Sequence, residues 1–314
     1  MRICVVGLGK LGLPLAVQFA LKGNPVTGLD INQVTVDSVN SGIEPFPGEI
    51  DLDKNLQTVI GNGYLSATSD PVAALSDAEV IVVVVPLLVD EKYMPNFNLI
   101  DLATETIGRY MKRGSLVIYE TTLPVGTTRD RFLPILELHS SFVGGSDFSL
   151  AFSPERVLTG RVFSDLQRYP KLVGGIDAVS SDRAVSFYES VLDFRDRLDL
   201  GKANGVWNLG SSETAEFVKL AETTYRDVNI ALANQFASFA TSRGINISDV
   251  IEAANSQDYS HIHNPGIAVG GHCIPVYPHL YMLNHPDASV VSAARQYNEA
   301  MPASAVEQIS KELG

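Results

Sequence analysis

The sequence has little sulfur, little positive charge and no long apolar run. Its two cysteines, Cys4 and Cys273, stand far apart in 314 residues. That excludes the paired frameworks of small secreted domains and fits a reducing, cytoplasmic compartment. Against 36 Asp and Glu there are only 23 Lys and Arg, for a formal net charge of −13. Nucleic-acid affinity comes largely from cations neutralising phosphates, so no nucleic-acid partner is expected. No stretch approaches the roughly 20 uninterrupted apolar residues of a membrane span, so no membrane partner is expected either. The N-terminal run could pass for a secretory signal, but Lys10 and four glycines interrupt it and no small-residue cleavage site follows. Internal repeats and low-complexity segments are also missing.

What is present is material for two cores: 45% of the residues are hydrophobic and 19% charged. The first stretch, RICVVGLGKLGLPLAVQFALKGNPVTGLDIN, reads as strand, glycine-rich turn, helix and second strand ending in an acid. Gly7, Gly9 and Gly12 fit G-x-G-x-x-G, with Lys10 and Leu11 inside the turn. This spacing suits a tight turn, close approach of backbone to a pyrophosphate, and close packing of helix on strand. The helix N-terminus then offers N–H donors and a positive dipole end to phosphates. Asp30 follows by about 20 residues, where a carboxylate accepts from the ribose hydroxyls of NAD and repels the extra phosphate of NADP. NAD is therefore the expected cofactor, and no metal site is expected.

Further strands are expected at 80–85, 116–120, 150–153 and 171–175. Near-continuous apolar strands alternating with helices imply a doubly wound parallel sheet covered on both faces, of Rossmann type. Ligands then lie beyond the carboxyl ends of the strands. Pro86, Thr121, Thr122, Ser153 and Glu155 fall at or just past those ends. Any one of them taken alone also fits a turn or a cap, Thr121 more readily than Glu155.

From about Gly201 the strand pattern stops, and a long amphipathic helix is expected from near Ser211 to Arg243, ended by Gly244. Lys219, Thr223 and Arg226 line one face of it. A lysine on a helix is ordinarily solvated, so position alone assigns Lys219 no task. NISDVIEAAN reads as another helix, followed by VGGHCIPVYPHL. Cys273 in that turn has two readings: a small buried apolar residue, or a reactive thiol.

GLGKLGLPLA, YETTLPVGTT, FSPERVLTGR, KLAETTYRDVNIALANQFA and NPGIAVGGHCIP occur in the order and spacing of the UDP-glucose/GDP-mannose dehydrogenases. Over essentially the whole chain the sequence resembles that family, and its wording is closest to the UDP-N-acetylmannosamine branch. The resemblance implies NAD-dependent, four-electron oxidation of a nucleotide-sugar C6 alcohol to the acid. Cys273 would carry the thiohemiacetal and thioester. Lys219 aligns with the family's active-site lysine, and Thr122 and Glu155 with positions near the nicotinamide and the hydrolytic water. Arg156 is an ion-pair partner or a substrate contact. Gly270 and Gly271 would let substrate approach the backbone, and His272 suits a flanking role.

The pattern departs from the family at three positions. Thr223 replaces an asparagine, Tyr277 an aspartate and Thr159 a glutamate found in some branches. The domains expected are an NAD-binding Rossmann-like domain over 1–200, a helical central dimerisation domain over 201–300, and over 301–314 the start of a C-terminal α/β domain that is otherwise largely absent. A homodimer acting on a UDP-, TDP- or GDP-linked sugar is implied. Two other readings remain, a two-electron hydroxyacid dehydrogenase and a weak or silent NAD-binding or assembly protein. Product stoichiometry separates all three.

Overall fold

The computed structural model describes residues 1–271 and 273–313. The chain forms two compact units, Met1–Leu88 with Asn96–Glu216, and Val89–Pro95 with the residues from Phe217 onward. His272 and its expected flanking role lie outside the described residues.

In the first unit the elements are β1 (Ile3–Val6), α1 (Gly12–Leu21), β2 (Val26–Leu29), α2 (Gln33–Asn40), α3 (Leu52–Gly61), β3 (Leu65–Thr68), α4 (Pro71–Leu75) and β4 (Val80–Val83). A two-stranded ribbon, β5 (Leu88–Val89) and β6 (Pro95–Asn96), carries the division between the units. Then come α5 (Asn98–Tyr110), β7 (Leu116–Tyr119), a π-helical turn Thr128–Phe132 running into α6 (Leu133–Ser140), and β8 (Ser149–Phe152). The unit continues with α7 (Val162–Arg168), β9 (Lys171–Gly175), α8 (Ala178–Val191), β10 (Val206–Ser211) and the start of α9 (Ser212–Ser242).

One eight-stranded sheet results, in the order β10-β9-β8-β7-β4-β1-β2-β3. From β3 through β8 the neighbours are parallel, with Ile3 beside both Val26 and Val80 in register. Strands β1, β4, β7 and β8 are buried at every residue. Their side chains alternate between two separate cores. Val5, Val82 and Ile118 join Leu13, Val17 and Phe19 of α1 on one face, while Cys4, Ile81 and Val117 join Ile107 and Leu136 on the other. An apolar strand with both faces covered reads as a continuous run, as a parallel sheet requires.

Two expectations are corrected. Strand β9 pairs antiparallel with β8, through Ala151 opposite Gly175 and Phe152 opposite Gly174, so the sheet is mixed at this end. An apolar run encodes burial but not direction; the path of the connecting chain decides direction. The strand pattern also continues past Gly201, because β10 lies parallel to β9 at the sheet edge. Its residues are half-exposed apart from the exposed Asn208 and Gly210, which leaves no apolar run to detect.

The second unit is helical: the rest of α9, α10 (Ile247–Asn255), α11 (Tyr277–Asn284) and α12 (Ser289–Leu313). Asn246 caps α10 by accepting from the Ser248 amide at 3.1 Å. Among the described residues no helix is long and apolar enough to cross a membrane.

Candidate functional site

In the first unit, the residues singled out in the sequence lie at the carboxyl ends of β1, β2, β4, β7 and β8. Gly7 has φ +93°, a left-handed conformation that strains any residue with a Cβ. A Cβ at Gly12 would sit 1.8 Å from the Gly7 carbonyl oxygen, so the start of α1 presses directly on the turn. A Cβ at Gly9 would meet nothing within 4 Å. Gly9 therefore leaves open space over the turn while Gly12 has none, which separates a ligand position from a packing position. Among the described residues no side chain caps α1 at Leu11, and its first turn holds no acid, so neither takes up the N-terminal donors and positive dipole end of the helix. Lys10 is exposed and Leu11 half-buried beside the turn.

Asp30 closes this arrangement. Its Oδ2 accepts from the Leu8 amide at 2.8 Å, and its Oδ1 accepts from the Asn32 amide at 2.8 Å. An open glycine, an uncapped helix end and a carboxylate fixed to the turn form a set that fits a dinucleotide: a pyrophosphate at the helix end and a ribose at the acid.

Pro86 is exposed after β4, and Thr122 is buried after β7. The neighbouring Thr121 Oγ1 donates to the Val85 carbonyl at 2.6 Å, joining the segments that follow these two strands. The next turn is held from α9, where the buried Glu216 carboxylate accepts from the Gly126 amide at 2.6 Å, and from the Thr128 amide and hydroxyl at 2.9 and 2.7 Å. Burial nevertheless pushes the Glu216 carboxyl up to about 7.

Glu155 lies beyond β8 in a cluster that sequence reasoning missed. Lys171, buried at the start of β9, donates to Glu155 Oε2 and to Glu120 Oε2, each at 2.8 Å. The Tyr188 hydroxyl donates to Glu120 Oε1 at 2.5 Å. Glu155 Oε1 accepts from the amides of Arg156 and Val157 at 2.7 and 3.2 Å. Burial works against the Glu155 charge, but Lys171 and these donors hold its carboxyl below the usual range. Glu120 goes the other way, pushed by burial up to about 7. Arg156 extends its guanidinium over the Tyr169 ring at 5.8 Å and donates to the Pro170 carbonyl at 3.4 Å. A lysine in an apolar strand and a glutamate at the end of another were the available signals, since such groups are almost never buried unless paired.

In the second unit, Lys219 and Thr223 stand one turn apart on α9, half-buried and buried. The Thr223 hydroxyl donates to the Lys219 and Leu220 carbonyls at 2.9 and 3.1 Å, so its proton is committed to its own helix. Cys273 is half-buried with a free thiol. Its carbonyl accepts from the amides of Val276 and Tyr277 at 3.2 and 2.9 Å, which fixes it at the turn into α11. Gly271 has φ +82°, and Gly270 is open. Cys4 differs sharply: it is wholly buried in the sheet, and burial pushes its thiol up to about 12.

The chain leading to Cys273 is strapped down by asparagines that the sequence reading passed over. Asn229 accepts from the His263 amide at 2.9 Å and donates to the His261 carbonyl at 2.6 Å. Asn234 accepts from the Gly266 amide at 2.8 Å and donates to Asn298 at 3.1 Å. Asn298 in turn donates to the Asp227 carboxylate at 2.9 Å, which Arg295 approaches at 3.2 Å. Asparagine is a weak helix former, so two of them inside α9 were a legible sign of work for their amides.

A doubly wound sheet with an open glycine turn, an acid tied to that turn and a helical unit bearing a half-exposed thiol defines an NAD-dependent dehydrogenase. The chain belongs to the UDP-glucose/GDP-mannose dehydrogenase family: residues 1–192 match its NAD binding domain and 213–300 its central domain. It is thus an oxidoreductase of nucleotide sugars. It is similar to the UDP-N-acetyl-D-mannosamine dehydrogenase of Pyrococcus horikoshii, 40% identical over 306 residues, covering 96% of this chain and 69% of that one. The solved structure of UDP-D-ManNAc dehydrogenase from Pyrococcus horikoshii superposes with a TM-score of 0.91 at 37% identity, covering 100% of this chain and 72% of the other. An NDP-N-acetyl-D-galactosaminuronic acid dehydrogenase from Methanosarcina mazei gives 0.85 at 30% identity, over 100% and 69% of the two chains.

Proposed function

We propose that the protein oxidises the C6 alcohol of UDP-N-acetyl-D-mannosamine to the corresponding uronic acid through a covalent Cys273 intermediate. The observation that carries this reading is the free, half-buried thiol of Cys273, held in a strapped glycine turn of a chain whose relatives bear that substrate in their names. Gly7, Gly9 and Asp30 would hold NAD+, and two NAD+ in turn would supply the hydride acceptors for the two oxidations. After the first, the Cys273 thiolate attacks the aldehyde carbon and forms a thiohemiacetal, whose oxidation leaves a thioester on Sγ. Water then releases the acid. Lys219 stabilises the oxyanion and the thiolate by its charge. Thr122 positions the reacting end of the cofactor, Glu155 assists proton transfer to and from water, and Arg156, Gly270 and Gly271 contact the sugar nucleotide.

The first unit is read as the cofactor-binding domain and the second as the central domain, which pairs with a second copy along α9. The two free cysteines suit a cytoplasmic setting. One observation favours a second reading, a weak or silent NAD-binding protein: the Thr223 hydroxyl is spent on helix carbonyls, where the family has an amide donor. Stoichiometry decides between them. Incubation with UDP-N-acetyl-D-mannosamine and with UDP-, TDP- and GDP-linked alternatives should yield two NADH per acid with the first. One NADH per sugar, or none with any, rejects the four-electron reading.

A further inference from the structure

The Glu120–Glu155–Lys171–Tyr188 cluster contains more acid–base machinery than one carboxylate needs. Glu120 is 2% exposed, Lys171 5%, Glu155 8% and Tyr188 wholly buried. Both carboxylates take the same Lys171 ammonium, at 2.8 Å each, so they sit side by side with one cation between them. With both ionised, the lysine would neutralise only one of two buried negative charges. A buried like-charge pair resists that state. Beside the cluster a cavity of about 10 Å³, lined by Glu155, Arg156, Asp165, Tyr169 and Lys171, is at the lower limit for a single water. Bulk solvent therefore does not relieve the charge.

Several described groups face the pair. They include Lys171 of β9, Tyr188 of α8 and the amides of Arg156 and Val157 after β8. Asp165 of α7 is committed to the Leu158 amide and to Arg161, each at 3.0 Å. Glu155, gripped by a lysine and two amides, is by itself a poor proton acceptor. A base works best when its proton affinity matches the operating pH.

We propose that the base of the hydrolytic step is the pair: the proton enters at Glu155 and comes to rest on Glu120, with Lys171 and Tyr188 as positioning residues that set this order. The inference rests on the proposed thioester chemistry. Water adds to the thioester carbonyl and gives one proton to the pair. The C–S bond breaks with its electrons on Cys273 Sγ, and the acid's second proton goes to solvent. Burial places Glu120 near neutrality, so the pair titrates as a unit in the range where hydrolysis is expected to run.

Two measurements on the full chain test this. Infrared pH titration of the Glu216→Gln chain, which lacks the other carboxyl raised to about 7, should show a protonated-carboxyl band that titrates near neutrality, disappears when Glu120→Gln is added and moves to lower pH when Glu155→Gln is added, because Lys171 then faces Glu120 alone; a Lys171→Arg variant should keep it. Its persistence in Glu120→Gln overturns the assignment. With UDP-N-acetyl-D-mannosamine as the probe, Glu120→Gln should leave the burst of NADH intact. It should also slow acid release about ten-fold or more at neutral pH and move the acidic limb of the kcat profile downward. An unmoved limb overturns the proposal, because a purely structural Glu120 would change stability and not the profile. If Glu155→Gln hydrolyses normally, the assignment of Glu155 itself fails; if only Glu155→Gln is impaired, the pair fails and the parent reading stands.

Discussion

The Leu8 amide donates to Asp30 Oδ2 at 2.8 Å, so the acid ending β2 and the turn following β1 are one rigid piece. Asp30→Ala should break it. A hydrogen bond to a charged group contributes about 1.5–3 kcal/mol, so NAD affinity should fall roughly ten-fold to a hundred-fold. Discrimination against NADP should shrink as the charge is removed. Titration with both cofactors measures this, and tighter NADP binding by the unaltered protein would refute the role of Asp30.

Gly9 and Gly12 should fail in different ways. A Cβ at Gly12 collides with the Gly7 carbonyl at 1.8 Å, so Gly12→Ala should lose about 1–3 kcal/mol of stability. Gly9→Ala meets nothing in the protein and should unfold within about 0.5 kcal/mol of the unaltered chain, while losing NAD binding. Thermal unfolding alongside NAD titration separates the two. Equal destabilisation by both would remove Gly9 from the ligand position.

Cys273→Ser should abolish acid formation and leave NAD affinity nearly unchanged, because serine keeps the size but is a far weaker nucleophile near neutral pH. Single-turnover reactions following NADH and acid together test it. Undiminished acid from the serine variant would leave Cys273 without a covalent role.

Glu216 makes stability depend on pH. Its folded pKa is raised by burial from 4.5 to about 7. The folded state then binds its proton more tightly, and this contribution is fully present below pH 4.5 and lost as pH rises through about 7. Denaturant unfolding across that window should show a fall in the unaltered chain that is flatter in Glu216→Gln. Parallel curves would show that the three donors keep Glu216 ionised.

On α9, Phe217, Tyr225, Leu232, Phe236 and Phe239 are between 39% and 61% exposed. Burial against a second copy would cover them, so the chain should be a dimer and Leu232→Glu with Phe239→Glu should yield monomer. Light scattering that finds only monomer in the unaltered chain at high concentration would exclude this interface.

The sequence by itself determined the parts of this protein that depend on spacing along the chain. The glycine pattern and Asp30 specify a strand, turn and helix because each glycine answers a local backbone demand, and the apolar strands identify themselves because both faces are covered. The long α9 and the cysteine turn were legible for the same reason. Tertiary structure decided what depends on groups far apart in sequence. The reversal of β9 comes from the path of its connection. The Glu120–Glu155–Lys171–Tyr188 cluster exists because β7, β9, α8 and the segment after β8 converge there. The straps from Asn229 and Asn234 reach residues more than 30 positions away. Local propensity shows where a buried lysine or a helical asparagine stands, but its partner is chosen by packing. The energy that justifies burying it comes from that partner.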